Sequence, residues 1–373
     1  MAHYVYPGTR HTRFHHAIGA MHLMQKAIDV LRKKNVAITL AEEEAALCAI
    51  LLHDIGHGPY SHSLEYVMTE GIDHEFFSTL LMKKLNEEFE GQLTLALEIF
   101  ENNHAKRFLH QLVSSQLDVD RLDYLARDSF FSGVYEGKLS TERIISMLNV
   151  VDDQLVVEEK GLYSIEKYII SRRLMYWQVY LHKTAVGAEE IQKSIIRRAK
   201  YLSLQDNNSS SSTPLNHFLS KQWKKADFEN NDELLHKYTQ LDDYDVLFAI
   251  KEWQEHDDFV LSFLSKSLIQ RKLFKVKMLD KPLSEKKVSK IKQGIIDTYG
   301  ISEQELTYLF LSGTVGNLPY DEHNEAIHIL TKSGKVKALT SVSDQLNNDS
   351  LTSVKTKYFA CYPKFLTSKS DSF

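Results

Sequence analysis

The chain of 373 residues carries a net charge of −5 at neutral pH, with 43% hydrophobic and 25% charged residues. This composition is ordinary for a soluble globular protein of one or two domains, and the charge gives no overall case for nucleic-acid binding. The two cysteines, Cys48 and Cys361, lie far apart, which excludes a disulfide-rich scaffold. No apolar run reaches the roughly 18 residues of a membrane span, and no signal peptide is visible. We therefore expect a cytoplasmic protein without a membrane partner.

Helices dominate the prediction for the first two hundred residues. Apolar residues recur every three or four positions from Phe14 to Leu31, which indicates an amphipathic helix. Thr39 and Glu42 form a capping box at the start of a second helix, which runs up to His53. Shorter helices are predicted over 61–69, 74–88, 93–101, 106–115 and 119–128. Two strands over 154–158 and 161–164, joined by a turn of two glutamates and a lysine, precede one long helix over 165–204.

The pattern changes after residue 204. A polar stretch rich in serine and asparagine over 205–214 predicts a loop, and helices are predicted over 215–224, 232–241, 243–254 and 257–268. Strands over 273–278, 325–331 and 356–362, with a helix over 284–299, predict a small α+β lobe. We therefore predict a mainly α fold with four parts: a helical core over 1–204, a loop over 205–214, a helical extension over 215–272 and a C-terminal α+β lobe over 273–373.

The most informative stretch reads LLHDIGHGPYSHSLE, over 51–65. An apolar helix runs into His53 and Asp54, and the glycines and the proline that follow stop it. An adjacent imidazole and carboxylate offer nitrogen and oxygen ligands to Mn, Fe, Zn or, less ideally, Mg. The nearby His57 and His62 can act as acids, bases or phosphate partners near neutral pH. A His-Asp pair alone is more often a hydrogen-bonded core histidine, so the other stretches decide between the two interpretations.

Two further stretches favour a metal site. Upstream, a helical histidine next to Arg13 is a natural third ligand, and spacing alone does not choose between His15 and His16. Downstream, DVDRLDYLARD over 118–128 places four carboxylates on a largely apolar helix. A solvated i,i+4 ion pair explains Asp123 and Arg127, but it does not easily explain Asp120, which lies between apolar neighbours and would complete a set of two histidines and two aspartates.

A last stretch lies in the predicted long helix. Arg172, Tyr176, Tyr180 and Lys183 form one stripe at helical spacing, with His182 beside it. Arginine and lysine bind phosphates, and a tyrosine between them can stack on a sugar or base. An aromatic packing stripe with snorkelling charged ends explains the same pattern equally well.

These stretches together resemble the HD-domain phosphohydrolases, and specifically their deoxynucleoside triphosphate triphosphohydrolase branch. The segments that carry the resemblance are YPGTRHTRFHHAIG, LLHDIGHGPYSHSLE, the pair His74 and Glu75, LDVDRLDYLARDS and YLHK, in that order. The resemblance implies an HD-domain helical core and a metal-dependent hydrolysis of dNTPs at the α-phosphate, which releases deoxynucleoside and inorganic triphosphate.

The resemblance also implies roles for individual residues. The divalent metal (Mn, Fe, Mg or Zn) would be held by His16, His53, Asp54 and Asp120. The catalytic group would be His57, His62, Glu65 and His74. His62 would protonate the leaving 5′ oxygen, and Glu65 would orient His62. Substrate contacts would come from Arg13, Asp118, Arg121, Tyr124, Asp128, Arg172, Tyr180, His182 and Lys183. Glu65 and Arg121 stand where the human member of the branch has an aspartate and a lysine.

The expected partners follow from the same resemblance. They are a dNTP substrate, an activator nucleotide and further copies of the chain in a dimer or tetramer. Family members usually carry a few dozen residues before the YPG turn, which supply much of the activator site, whereas three residues precede Tyr4 here. Two alternatives remain open: an HD phosphohydrolase for nucleoside monophosphates or cyclic nucleotides, and a non-catalytic HD scaffold that binds nucleotides or nucleic acid.

Overall fold

The computed structural model describes residues 1–69, 71–206, 212–321, 326–345 and 353–364. Helices dominate its first part, as predicted: α1 (Arg13–Lys33), α2 (Leu40–Leu52), α3 (Glu65–Met68), α4 (His74–Glu88), α5 (Thr94–Phe100), α6 (Arg107–Val113), α7 (Val119–Ser132) and α8 (Thr141–Ser146). Thr39 and Glu42 form the predicted capping box of α2. Most of the loop predicted over 205–214 lies outside the described residues.

A β-hairpin follows α8, and its position corrects the prediction. Strand β1 (Leu148–Val151) pairs antiparallel with β2 (Gln154–Glu158). The turn between them is Asp152-Asp153, and both residues have positive φ, as two-residue hairpin turns require. β2 was predicted correctly, but the strand predicted over 161–164 is wrong, because Leu162 already begins the next helix.

The long helix predicted over 165–204 is two helices. They are α9 (Leu162–Met175) and α10 (Lys183–Asp206), separated by a π-helical turn over Tyr176–Tyr180. π-Helical turns inside helices are rare and occur frequently at functional sites. The break means that Arg172 and Lys183 do not lie on one continuous helical stripe.

The remaining elements alternate between helices and short strands. The helices are α11 (Thr213–Leu219), α12 (Lys225–Glu229), α13 (Asp232–Thr239), α14 (Asp243–Glu252), α15 (Phe259–Ile269), α16 (Glu285–Tyr299), α17 (Glu303–Leu309) and α18 (Leu339–Val342). The strands are β3 (Lys275–Leu279), β4 (Leu311–Asn317), β5 (His328–Leu330), β6 (Val336–Ala338) and β7 (Lys355–Tyr362). The predicted strands near β3, β5 and β7 are present, whereas β4 and β6 were missed.

Two sheets connect distant parts of the chain. One has the strand order β1-β2-β5-β6, with β5 parallel to β2, and the other has the order β3-β7-β4. The C-terminal strands β5 and β6 therefore extend the hairpin of the N-terminal half. The division of the chain at residues 204, 214 and 272 stays a prediction.

Two hydrophobic cores support these elements. One lies between α1, α2, α7 and α9 and includes the fully buried Ile28 and Tyr168. The other surrounds α10 and α15, includes Trp253 and Phe218, and reaches Cys361 on β7. The candidate site lies where α1, α7 and the end of α2 meet, beside the first core.

No helix within the described ranges combines the length and the apolar character that crossing a bilayer requires.

Candidate active site

Helix caps place the predicted metal ligands. Thr12 caps α1, where His15 is exposed and its Nδ1 accepts from the Thr12 amide at 3.2 Å, while His16 is 8% exposed and faces α7. His53 is the residue at which α2 ends, so Asp54 follows in the turn. Asp118 caps α7 by accepting from the amide of Arg121 at 2.7 Å, which puts Asp120 in the first turn.

The structure brings His16, His53, Asp54 and Asp120 together. His16 Nε2 lies 3.0 Å from Asp120 Oδ1 and 3.9 Å from Asp54 Oδ2. His53 Nε2 lies 3.5 Å from Asp120 Oδ1 and 3.4 Å from Asp54 Oδ1. Donor atoms that share one ion at about 2.0–2.2 Å lie roughly 3–3.5 Å apart. Three of the four distances lie in this range, which fits a divalent metal.

The Nδ1 atoms of His16 and His53 are both hydrogen-bonded within the protein. His16 Nδ1 donates to Asp123 Oδ2 at 2.8 Å, and His53 Nδ1 donates to the carbonyl of Ile50 at 2.6 Å. Each Nε2 is thereby turned toward the carboxylates, and the buried Nε2 of His53 has no hydrogen-bond partner among the described residues. Metal-binding histidines show this arrangement. The donor set and the unpartnered nitrogen both fit a divalent cation.

Charge interactions outweigh burial at this site. Burial lowers the pKa of His16, but hydrogen bonds with Asp120 and Asp123 outweigh burial and raise the pKa to about 10. Burial raises the pKa of Asp120, but the hydrogen bond from His16 and the charge interaction with the nearby imidazole of His53 hold it well below its usual value. The carboxylates are therefore ionised near neutral pH, as metal ligands must be.

Three further histidines form a cluster next to the four predicted metal ligands, which we call the metal set. The rings of His57 and His74 stack with centroids 3.9 Å apart, and His62 meets both edge-on, at 4.7 and 4.9 Å. His57 Nε2 lies 3.4 Å from Asp54 Oδ1, so the cluster adjoins the metal set directly. Burial lowers the pKa of His57 to about 4, although Asp54 opposes this shift.

Glu65 holds two members of this cluster. Its Oε2 accepts from His62 Nδ1 at 3.1 Å, and its Oε1 accepts from His74 Nδ1 at 2.7 Å and from the His74 amide at 2.6 Å. The His62 side chain is 69% exposed, whereas that of Glu65 is 9% exposed. The accessible imidazole is therefore fixed through Nδ1, and its Nε2 stays available to a bound molecule.

Close backbone packing fixes the turn between the two groups. A Cβ on Gly56 would lie 2.1 Å from the amide nitrogen of Ser78 in α4, so only glycine fits there. The carbonyl of Gly56 accepts from the hydroxyl of Tyr238 at 2.9 Å. Tyr238 belongs to α13, so the predicted helical extension contacts the turn that follows His53 and Asp54.

The π-helical turn places Tyr180 against Asp128 of α7. The Tyr180 hydroxyl donates to Asp128 Oδ2 at 2.6 Å, and His11 Nε2 lies 2.8 Å from Asp128 Oδ1. The ring of Tyr124 lies 6.3 Å from that of Tyr180 and 6.4 Å from that of His16. Tyr124 and Tyr180 are thus connected to the metal set through ring contacts, and Asp128 is connected through its hydrogen bond with Tyr180.

Other predicted contact residues have internal partners. Arg121 pairs with the buried Asp118. Arg13 pairs with Asp54, and its Nε donates to Ser61 Oγ at 2.8 Å. Arg172 donates to Gln116 Oε1 at 3.2 Å.

His182 and Lys183 differ from this group. His182 Nδ1 accepts from the amide of Thr184 at 3.2 Å, and Lys183 is exposed at the start of α10. The contacts of the described residues do not connect either side chain to the metal set.

Sequence reasoning missed several residues of this region. The contact of His11 with Asp128 was not predicted, because the spacing of the HTRF segment that contains His11 gives no sign of it. Gln116 and Tyr238 come from segments without a motif. Asp123 was predicted in a solvated ion pair; the pair with Arg127 is present, but Asp123 is only 7% exposed. The burial of Asp123 is a consequence of packing against α1, which no local pattern reveals.

Family comparisons agree with this geometry. Residues 13–128 match the HD domain, and residues 139–218 match the HD associated region. The uncharacterized protein YwfO of Bacillus subtilis is 31% identical over 353 residues, which cover 90% of this chain and 77% of YwfO. A crystal structure of a phosphohydrolase from Bacteroides thetaiotaomicron is 46% identical, with a TM-score of 0.93 over 97% of this chain and 90% of that one. The chain belongs to the HD-domain phosphohydrolase family.

A relative of this HD phosphohydrolase carries a more specific name. The SAMHD1 homolog of Dictyostelium discoideum, a deoxynucleoside triphosphate triphosphohydrolase, is 28% identical over 205 residues. The match covers 50% of this chain and 40% of that protein. This chain therefore shares less than half of the length of that relative.

Proposed function

We propose that this HD phosphohydrolase hydrolyses dNTPs at the α-phosphorus and releases deoxynucleoside and inorganic triphosphate. The observation that carries the proposal is the contact between the two groups: Asp54 of the metal set lies 3.4 Å from Nε2 of His57 in the histidine cluster. A phosphate bound across this contact would meet the cation held by the metal set on one side and imidazole donors on the other.

Each group has a distinct task in this reaction. A divalent cation, when bound, supplies Lewis acidity that stabilises charge on a phosphate oxygen. His62 is the proton donor to the leaving 5′ oxygen, because its exposed ring is held through Nδ1 by Glu65. General acid help of this kind contributes about 10²–10⁴-fold. Arg13, Arg172 and Lys183 would neutralise the β- and γ-phosphates.

The proposal assigns the preference for a deoxynucleotide to Tyr180. Its ring, 6.3 Å from that of Tyr124, would pack under C2′ of the substrate and leave no room for a ribose hydroxyl. Asp128 accepts from Tyr180 and so fixes the direction of that ring. Assembly into a dimer or tetramer, and a response to an activator nucleotide, belong to the same proposal and are measured by light scattering with and without nucleotide.

Product analysis tests the reaction. The purified chain is incubated with each dNTP and with GTP, plus Mn²⁺ or Mg²⁺, and the products are separated by anion exchange. Intact triphosphate with deoxynucleoside supports the proposal. Orthophosphate or pyrophosphate indicates a different HD phosphohydrolase. The variant His62→Ala tests the proton donor, and unchanged turnover with metal still bound contradicts the role of His62.

A further inference from the structure

A chain of three side chains, two of them buried, extends outward from the metal set. His16 Nδ1 donates to Asp123 Oδ2 at 2.8 Å, and Arg127 donates to both oxygens of Asp123, with Nε to Oδ2 and Nη2 to Oδ1 each at 2.8 Å. Asp123 is 7% exposed and His16 is 8% exposed. Neither Asp123 nor Arg127 has a described contact with Asp54, Asp120 or the histidine cluster, so their role is exerted through His16.

Gly19 makes room for this arrangement. It lies three residues after His16 on α1, where a Cβ would be 2.1 Å from Asp123 Oδ1 and 2.1 Å from Arg127 Nη2. Glycine costs roughly 1 kcal/mol relative to alanine in a helix interior, so its use at a mid-helix position calls for a packing reason. The close approach of the Asp123–Arg127 pair supplies that reason.

We propose that the Asp123–Arg127 pair, seated in the gap left by Gly19, positions His16 for the metal. By accepting the Nδ1 proton, Asp123 orients the ring so that Nε2 faces Asp120 and Asp54, where a bound cation would take the place of the Nε2 proton. Arg127 engages both carboxylate oxygens, so Asp123 cannot rotate away from His16 or turn toward the cation. Asp123, Arg127 and Gly19 are therefore positioning residues, and His16 is the ligand.

The sharpest test changes no charged group. Gly19→Ala would push the Asp123–Arg127 pair off His16 while it keeps every metal ligand. Binding of Mn²⁺ is measured by competition with a chelator, and the expected result is a roughly 10–100-fold weaker affinity, the usual effect of losing such an outer partner. The matched control is Gly316→Ala on β4, where the added Cβ has its nearest neighbour at 3.5 Å and metal affinity stays unchanged.

Two substitutions within the pair extend the test. Asp123→Asn keeps the size of the side chain but removes its charge, and Arg127→Lys keeps the charge but loses the two-pronged contact. Both are expected to weaken Mn²⁺ binding and to change the visible absorption spectrum of the Co²⁺-loaded protein. The control is Arg32→Lys, which alters a comparable ion pair with Glu43 away from the site. If Gly19→Ala fails to fold, these variants carry the test.

The proposal rests on His16 being a metal ligand, and the experiment separates the two claims. Loss of metal in His16→Ala, with normal affinity and an unchanged Co²⁺ spectrum in Asp123→Asn and Gly19→Ala, overturns the positioning role alone. Retained stoichiometric metal in His16→Ala overturns the ligand assignment itself. A lower melting temperature of the metal-free variants with unchanged Mn²⁺ affinity also overturns the proposal, because it shows a purely structural pair.

Discussion

Glu65 provides a direct test of how the histidine cluster works. Its carboxylate accepts from His62 at one oxygen and from the side chain and amide of His74 at the other. Burial raises the pKa of Glu65, but the hydrogen bonds from His74 and His62 lower it overall, so the group is ionised near neutral pH. Glu65→Gln removes the charge and replaces one acceptor oxygen by an NH₂ donor, which cannot serve a second imidazole N–H.

The size of the effect follows from the lost contact. A hydrogen bond to a charged group contributes about 1.5–3 kcal/mol. If that stabilisation acts in the transition state through the orientation of His62, kcat falls about 10–100-fold, because each 1.36 kcal/mol is tenfold in rate. The KM changes little, since the Glu65 side chain is 9% exposed and its described contacts are with His62 and His74.

The assay is steady-state release of deoxynucleoside from the preferred dNTP. The control is Glu75→Gln, which removes the same charge one residue after His74 from an exposed position on α4. A kcat within twofold of the parent in folded Glu65→Gln would refute the orienting role. An equal loss in Glu75→Gln would show that general electrostatics, rather than the contact to His62, sets the rate.

Three other predictions test the site and its support. Asp120→Ala should abolish stoichiometric metal in elemental analysis, and retained metal would rule out its ligand role. Tyr238→Phe leaves the carbonyl of Gly56 without its donor and should lower the free energy of unfolding by about 1–3 kcal/mol in urea titrations, unlike Tyr244→Phe at a 78% exposed position. Burial raises the pKa of Glu42, but hydrogen bonds from Lys106, Thr39 and His104 lower it overall to about 2. The stability that Glu42 contributes is therefore present above pH 4.5 and lost between pH 4.5 and 2, so Glu42→Gln should flatten the loss of stability in that range.

Local patterns predicted the helices well because their signals lie within a few residues. The α4 helix was predicted with both ends correct, and its cap, Asp73, accepts from the amide of Phe76 at 2.9 Å. The break between α9 and α10 was missed because Tyr176–Tyr180 keeps the periodicity of a helix. Contacts far away in sequence, such as that of Tyr180 with Asp128, accompany the π-helical turn there.

The candidate site was predicted from motifs, but its supports were not. His53 and Asp54 stand out because glycines and a proline follow an apolar helix. The burial of Asp123 depends on Gly19 in another helix, and the hydrogen bond from Tyr238 crosses 182 positions of sequence. The pairing of the strands was not predicted either, because it also depends on distant parts of the chain. One partner of β2 is set by the turn at Asp152-Asp153, and the other is β5, far along the sequence.

The parallel pairing of β2 with β5 has a consequence for how the chain folds. Glu158 pairs with Leu330, so one edge of β2 finds its partner only after about 170 further residues have been synthesised. Long-range pairings of this kind slow folding, and unpaired edges invite association with other chains. During synthesis, the hairpin behind the helical core is thus an open edge, and a fragment that stops at residue 272 would keep that edge exposed and self-associate.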